Sequence, residues 1–145
     1  MASVFAFFGL ALIVMWFMIS IKDPGAGNES PESEFECTIC QHSVLATTKH
    51  CAKCNKCTPG FDHHCKFLNT DIGDKNKALF ISLTASYWLF TLLSIALFTY
   101  FADFGSAGAI FASIAFLHMQ GMRLLFLTGL LVWHLGMHLN HTTTH

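Results

Sequence analysis

The chain is 145 residues long, 53% hydrophobic and only 12% charged, with fifteen Phe and a formal net charge of −1. One ordinary domain would fit that length, but the composition excludes an ordinary soluble one. A near-neutral balance with no basic stripe gives no argument for a nucleic-acid partner.

The polar residues are segregated. All seven Lys and eight of the nine acidic residues lie from Lys22 to Lys77, and the flanks carry only Asp103 and Arg123. A polar module between apolar arms points to a mainly α-helical membrane protein, with the lipid bilayer as a partner.

Residues 1–21 read as a first transmembrane helix. Ala2–Ile21 carries no charge, and twenty helical residues cover about 30 Å, roughly one hydrocarbon core. The rival is a cleaved signal peptide. No Lys or Arg precedes the run, however, and Ile21-Lys22-Asp23-Pro24 offers no small-residue cleavage site. Residues 22–36 form a linker whose two Pro, two Gly and four Glu between Asp23 and Glu36 can bury no core. Residues 37–77 are a Cys/His/Lys-rich module, expected to be irregular. Its lysines place it on the cytosolic side.

A further span is expected over 78–102, ended by Asp103 and the turn signal Gly105-Ser106-Ala107-Gly108. Residues 103–114 then form an extracytoplasmic loop, 115–138 a third span and 139–145 a cytosolic tail. The apolar stretch Ile110–Met137 is longer than one span needs and contains His118, Gln120 and Arg123. Either its first part belongs to the loop, or Arg123 faces a protein interior. His134, His138, His141 and His145 share one helical face, read as the polar face of a span emerging into the cytosol. No long-period repeat is apparent.

The module reads Cys37-x2-Cys40-x9-His50-Cys51-x2-Cys54-x2-Cys57-x4-Asp62-His63-His64-Cys65. A Cys-x2-Cys turn brings two sulfurs about 3.5–4 Å apart, the separation that tetrahedral zinc requires. In the reducing cytosol such pairs are metal ligands rather than disulfides. Histidines interleaved with thiolates favour zinc over an iron–sulfur cluster. The module has few apolar residues, so metal binding must supply its folding energy. It offers six Cys and four His (His42, His50, His63 and His64), while two closed sites need eight ligands.

From Cys37 to Phe80 the sequence resembles the Cys-rich domain of the DHHC family of protein S-acyltransferases. The Cys spacing, His50-Cys51, the Asp62-His63-His64-Cys65 tetrad, and Asn69, Gly73, Asn76 and Phe80 carry the likeness. Asp23-Pro24-Gly25 resembles the family's Asp-Pro-Gly motif, and Thr142-Thr143-Thr144 its Thr-Thr-x-Glu motif. The resemblance implies a zinc ion on Cys37, Cys40, His50 and Cys57. It implies a second on Cys51, Cys54 and His64, whose fourth ligand, a Cys in the family, is Asp71 here; a carboxylate can also bind zinc. Cys65 would be the nucleophile, His63 its base and Asp62 the group that orients His63, the logic of a catalytic triad. Acyl-CoA is the implied co-substrate, with a palmitoyl-type chain passing through acyl-Cys65 to cytosolic cysteines of membrane-associated proteins.

The implied location is an endomembrane (ER or Golgi) or the plasma membrane, as a multi-pass protein. Small residues Ser82, Ala85 and Ser86 would leave room for an acyl chain. Lys22, Lys66, Lys75 and Lys77 would lie at headgroups or touch CoA phosphates. Two other classes compete. One is a zinc-stabilised membrane scaffold that recruits partners, favoured by Asp71 and by the single span before the module where the family usually has two. The other is a RING-like ubiquitin ligase, whose cross-braced ligand order the tetrad and Cys54-x2-Cys57 do not fit.

Overall fold

An uninterrupted apolar run with no Pro becomes the first helix, α1 (Ala2–Ile21), in the computed structural model, which describes residues 2–25, 35–102 and 105–140. The helix closes where Lys22 N reaches Met18 O (3.0 Å) and Ile19 O (3.2 Å), because Pro24 two residues on cannot continue it. Asp23 then accepts from Gly25 N and from Lys56 Nζ, each at 3.0 Å. Pro24 is fully buried, and its carbonyl accepts from Lys75 N at 3.2 Å. The segment after α1 is thereby docked onto the module that follows.

That module is more regular than expected. It consists of three antiparallel hairpins: β1 (Phe35–Cys37) with β2 (His42–Val44), β3 (Lys49–Cys51) with β4 (Lys56–Thr58), and β5 (His63–Cys65) with β6 (Thr70–Ile72). Each turn holds one residue in the left-handed region, at Gln41, Asn55 and Asn69, the conformation that Asn tolerates best among residues with a side chain. Cys37, Cys51 and Cys65 recur at equal intervals along the chain. So do the three left-handed residues, and so do Val44, Thr58 and Ile72, the last residue of each returning strand. The module therefore contains an internal repeat that the composition-level reading missed. Each unit carries only three residues per strand, and its common features are turn geometry rather than a shared apolar pattern.

Gly60 and Gly73 link the hairpins at close range. Gly60 has φ of 55°, and a Cβ at Gly73 would lie 2.7 Å from Pro59 O and from Thr58 Cγ2. Asn76 is fully buried and bridges the third hairpin to the next helix: it donates to Asp71 O and accepts from Gly73 N, both at 2.9 Å.

Helix α2 (Lys77–Phe101) packs against α1 on one side and against α3 (Ala107–Leu139) on the other. Both α2 and α3 are long and apolar enough to cross a membrane, and α1 adds the shorter apolar stretch Ala6–Ile21. Large apolar side chains stand exposed along them, including Phe7, Leu10 and Phe17 on α1 and Phe111, Leu125 and Trp133 on α3. Exposure on this scale is that of a membrane-associated protein.

Helix α3 begins earlier than the loop expected over 103–114 allows. Ser106 Oγ accepts from Ala109 N at 3.2 Å, and Ser106 O from Ile110 N at 3.0 Å. The supposed turn signal is thus a helix N-cap. Arg123 lies well inside the helix and its side chain is exposed rather than facing a protein interior, as is that of His118. Gln120 is buried and donates to Ser94 Oγ at 3.1 Å across the α2–α3 contact. At 33 residues, α3 is about 50 Å long by helical rise. That exceeds a hydrocarbon core of about 30 Å, and its last turns lie against the third hairpin, with His134 Nδ1 3.4 Å from Asp62 Oδ2.

The core sits where these parts converge. Leu12 and Ile19 of α1, Cys65, Leu68 and Ile72 of the third hairpin, and Phe80 and Leu83 of α2 form one buried cluster. Cys65 therefore lies at the seam between the hairpins and the apolar helices.

Candidate functional site

The hairpins share out their ligand-type side chains by a simple rule. The turn of the first hairpin presents Cys37 and Cys40 to a directly paired couple on the second, His50 and Cys57. The turn of the second presents Cys51 and Cys54 to a paired couple on the third, His64 and Asp71. Within each quartet the donor atoms all lie within 4.8 Å of one another. In the first, Cys40 Sγ is 3.2 Å and Cys57 Sγ 3.8 Å from His50 Nδ1, with the two sulfurs 3.5 Å apart. In the second, Cys54 Sγ is 3.4 Å and Cys51 Sγ 3.8 Å from His64 Nδ1. Bond lengths of about 2.0–2.3 Å around tetrahedral zinc imply edges close to these.

Asp71 occupies in its hairpin the register position that Cys57 occupies in the preceding one. It is fully buried, with Oδ1 2.8 Å from His64 Nδ1 and Oδ2 accepting from Thr58 Oγ1 at 3.2 Å. Burial works against its charge, but hydrogen bonds from Cys51, His64, Cys54 and Thr58 outweigh it and hold the carboxyl below its usual range. The thiols bear the opposite burden. Burial, then Asp71 and Cys51, push Cys54 up to about 12, and burial with Cys37 and Cys40 does the same to Cys57. Crowded anionic donors of this kind call for a cation, and the donor sets Cys3His and Cys2HisAsp suit one. His42 stays outside both quartets, its Nδ1 turned to Cys40 O at 3.3 Å.

The third hairpin breaks the pattern at its turn. Cys65 stands where Cys37 and Cys51 stand in the others, but Leu68 replaces the second cysteine. Cys65 is left without a chelating turn partner and is buried in the apolar cluster instead. Strand alternation completes the sorting. His64 points to the second quartet, so His63 and Cys65, one residue to either side, share the opposite face.

On that face Asp62 is fully buried, with Oδ2 3.2 Å from His63 Nδ1 and Oδ1 3.9 Å from Lys77 Nζ. Burial disfavours the His63 cation, but hydrogen bonds to Asp62 and Cys65, with their charges, outweigh it and raise its pKa to about 9. Burial likewise raises Cys65, while the His63 hydrogen bond and the amides of Leu68 and Phe67 bring it below its ordinary value. Such a pair favours passage of the thiol proton to the imidazole.

An apolar cavity of about 480 Å³ opens from Cys65. Trp16 of α1, Leu83 and Tyr87 of α2, and Phe126, Leu130 and Trp133 of α3 wall it. Ser82, Ala85 and Ser86, the small residues expected to leave such room, are not among its walls. Lys22, Lys66 and Lys75 are exposed, whereas Lys77 turns toward Asp62.

One residue of the site was read differently from sequence. His134 does not lie on a polar face: it is 4% exposed, with Nδ1 3.4 Å from Asp62 Oδ2. The available signal was a titratable residue within an apolar helix, which marks a functional position by default. The side chains of His138, His141 and His145, and Thr142-Thr143-Thr144, lie outside the described residues.

Comparison with known proteins matches the geometry. The chain is 40% identical over 77 residues to the probable protein S-acyltransferase 20 of Arabidopsis thaliana, which is 52% of the chain and 11% of that protein. It is 32% identical over 114 residues to palmitoyltransferase ERF2 of Eremothecium gossypii (75% of the chain, 30% of the relative). It is 42% identical over 60 residues to palmitoyltransferase ZDHHC4 of Bos taurus (41% and 16%). The chain thus spans a third or less of the length of these relatives. Over residues 30–145 it matches the profile of the DHHC palmitoyltransferase family, and to that family it belongs.

Proposed function

We propose that the chain carries the acyl-transfer centre of a protein S-acyltransferase, taking a long-chain acyl group from acyl-CoA to cysteines of membrane-associated proteins. The observation that carries this reading is Cys65, hydrogen-bonded to His63 and opening on an apolar cavity among three apolar helices.

In the first half-reaction the Cys65 proton moves to His63 Nε2, the nitrogen turned away from Asp62. The Cys65 thiolate attacks the thioester carbonyl of acyl-CoA, and the new S–C bond replaces the bond to CoA sulfur. The CoA thiolate leaves and takes the proton from His63. In the second, a substrate cysteine gives its proton to His63 and attacks the acyl-Cys65 carbonyl. Cys65 leaves as thiolate and recovers that proton. Asp62 accepts from His63 Nδ1–H throughout and stabilises the imidazolium.

Two zinc ions fit the quartets Cys37/Cys40/His50/Cys57 and Cys51/Cys54/His64/Asp71. Zinc there supplies folding energy and rigidity to a module whose strands are too short to hold themselves. In this reading α1 is a third span, the hairpins and C-terminus face the cytosol, and the acyl chain lies at bilayer depth with CoA in water. The scaffold alternative loses one of its supports, since Asp71 stands in a ligand position.

Purified protein incubated with labelled palmitoyl-CoA tests the proposal. Label on Cys65 that hydroxylamine releases and Cys65→Ser abolishes is the expected result. Full zinc content with no label on Cys65 would sink it.

A further inference from the structure

Among the described residues the mechanism above leaves one buried titratable side chain unused. His134 comes from the last turns of α3 and lies against the catalytic face of the third hairpin. Its Nδ1 is 3.4 Å from Asp62 Oδ2, the same oxygen that meets His63 Nδ1 at 3.2 Å. Its ring centroid is 5.3 Å from that of His63 and 5.0 Å from that of Phe80, which it meets edge-on; Phe80 also meets His63 edge-on at 5.3 Å. Asp62 therefore stands between two imidazoles, and Phe80 braces both.

A histidine buried only to fill space would have its nitrogens satisfied or replaced by carbon. Among the described residues Nδ1 of His134 is buried without an aligned hydrogen bond, an arrangement that is costly if it stays so. A shift of a few tenths of an ångström would close the 3.4 Å approach into a bond, of the kind that tightens when substrate is present. Only the neutral Nδ1–H tautomer is needed, so no change of charge on His134 is involved.

We infer that His134 is a positioning residue: by donating from Nδ1 to Asp62 it fixes the carboxylate that in turn orients His63 toward Cys65. The inference rests on the acyltransferase reading. It also gives α3 a role beyond walling the cavity, because the last helix then clamps the carboxylate of a hairpin far away in sequence. The second donor narrows the rotation of the Asp62 carboxyl, whose other oxygen Lys77 Nζ approaches at 3.9 Å, and so sharpens the orientation of His63.

The test compares His134→Phe, His134→Asn and His134→Gln in the full chain, using labelled palmitoyl-CoA. Phe keeps the ring packing on Phe80 and removes both nitrogens. Asn places an amide nitrogen close to Nδ1, whereas Gln places it near Nε2. The expected result for His134→Phe is a loss of about 10–100-fold in the Cys65 acylation rate, the size usual for an orienting partner. Its KM for palmitoyl-CoA and its zinc content stay as in the wild type. His134→Asn recovers most of the rate and His134→Gln does not. Wild-type rates in His134→Phe would overturn the inference, as would equal rates in the Asn and Gln variants. A zinc content that falls by one ion in His134→Phe would overturn it too, by making His134 a metal ligand with Asp62 and His63, whose donor atoms lie within 4.8 Å of its own. Absence of label on Cys65 in the wild type overturns the acyltransferase reading itself and this inference with it, an outcome distinct from all the others.

Discussion

Asp62 makes the reactivity of Cys65 a property of three side chains rather than one. Its hydrogen bond and charge help hold His63 up at about 9, and His63 in turn lowers Cys65. Asp62→Asn removes the charge, so His63 falls, Cys65 rises, and the thiolate fraction at neutral pH drops. Alkylation of Cys65 by iodoacetamide at neutral pH is expected to slow by about tenfold for each unit that Cys65 gains. The pH profile of the reaction moves to higher pH. The same linkage acts on stability. His63 has a folded pKa above its ordinary 6.5, so its own contribution is complete below 6.5 and is lost as pH rises through about 9, while that of Cys65, whose pKa is lowered by the same pair, grows over that window and opposes it.

Asp71 offers a second test at this scale. A thiolate is the softer zinc ligand, so Asp71→Cys should hold the second ion against a chelator concentration about tenfold higher. Asp71→Ala should release it first. Zinc content measured along an EDTA titration separates the three proteins.

The hairpin is the unit that explains the element scale. Each turn gives two side chains to one quartet, and each strand pair gives two to the next. The quartets therefore interlace the three hairpins into one body that none could form alone. The same logic releases Cys65, because the third turn carries Leu68 in place of a second ligand. Spacing in the sequence was enough to read the Cys-x2-Cys pairs, since a turn is local. The equal spacing of the three units was equally legible and was missed. The start of α3 was missed for a different reason: Ser106 is as much an N-cap as a turn residue, and only the backbone beyond it decides which. Asn76 joins hairpin to helix through two buried bonds. Asn76→Ala leaves both backbone partners unsatisfied, and is expected to lower stability by about 1–3 kcal/mol, read from the denaturation midpoint in detergent.

At the scale of the whole molecule, the cavity joins residues from all three helices and the third hairpin. Leu130→Trp adds bulk to its wall. It should shift the acyl-CoA preference of Cys65 labelling toward shorter chains, by about 1–3 kcal/mol for each methylene excluded. Competition between acyl-CoAs of different length measures it.

Hydrophobic runs, charge segregation and ligand spacing are properties of neighbouring residues, and they were sufficient for apolar helices and a metal-type module, while the Asp62-His63-His64-Cys65 tetrad carried the resemblance to the acyltransferases. The division of labour within that centre is partly local too, because strand alternation sends His64 one way and His63 and Cys65 the other. What stayed hidden depends on distance in space. His134 looked like the polar rim of a span because a helical wheel shows only which residues share a face, not what that face meets. The folded chain brings α3 down onto Asp62, and the seam between hairpins and helices becomes the place where a buried carboxylate, two imidazoles and a thiol meet an apolar cavity.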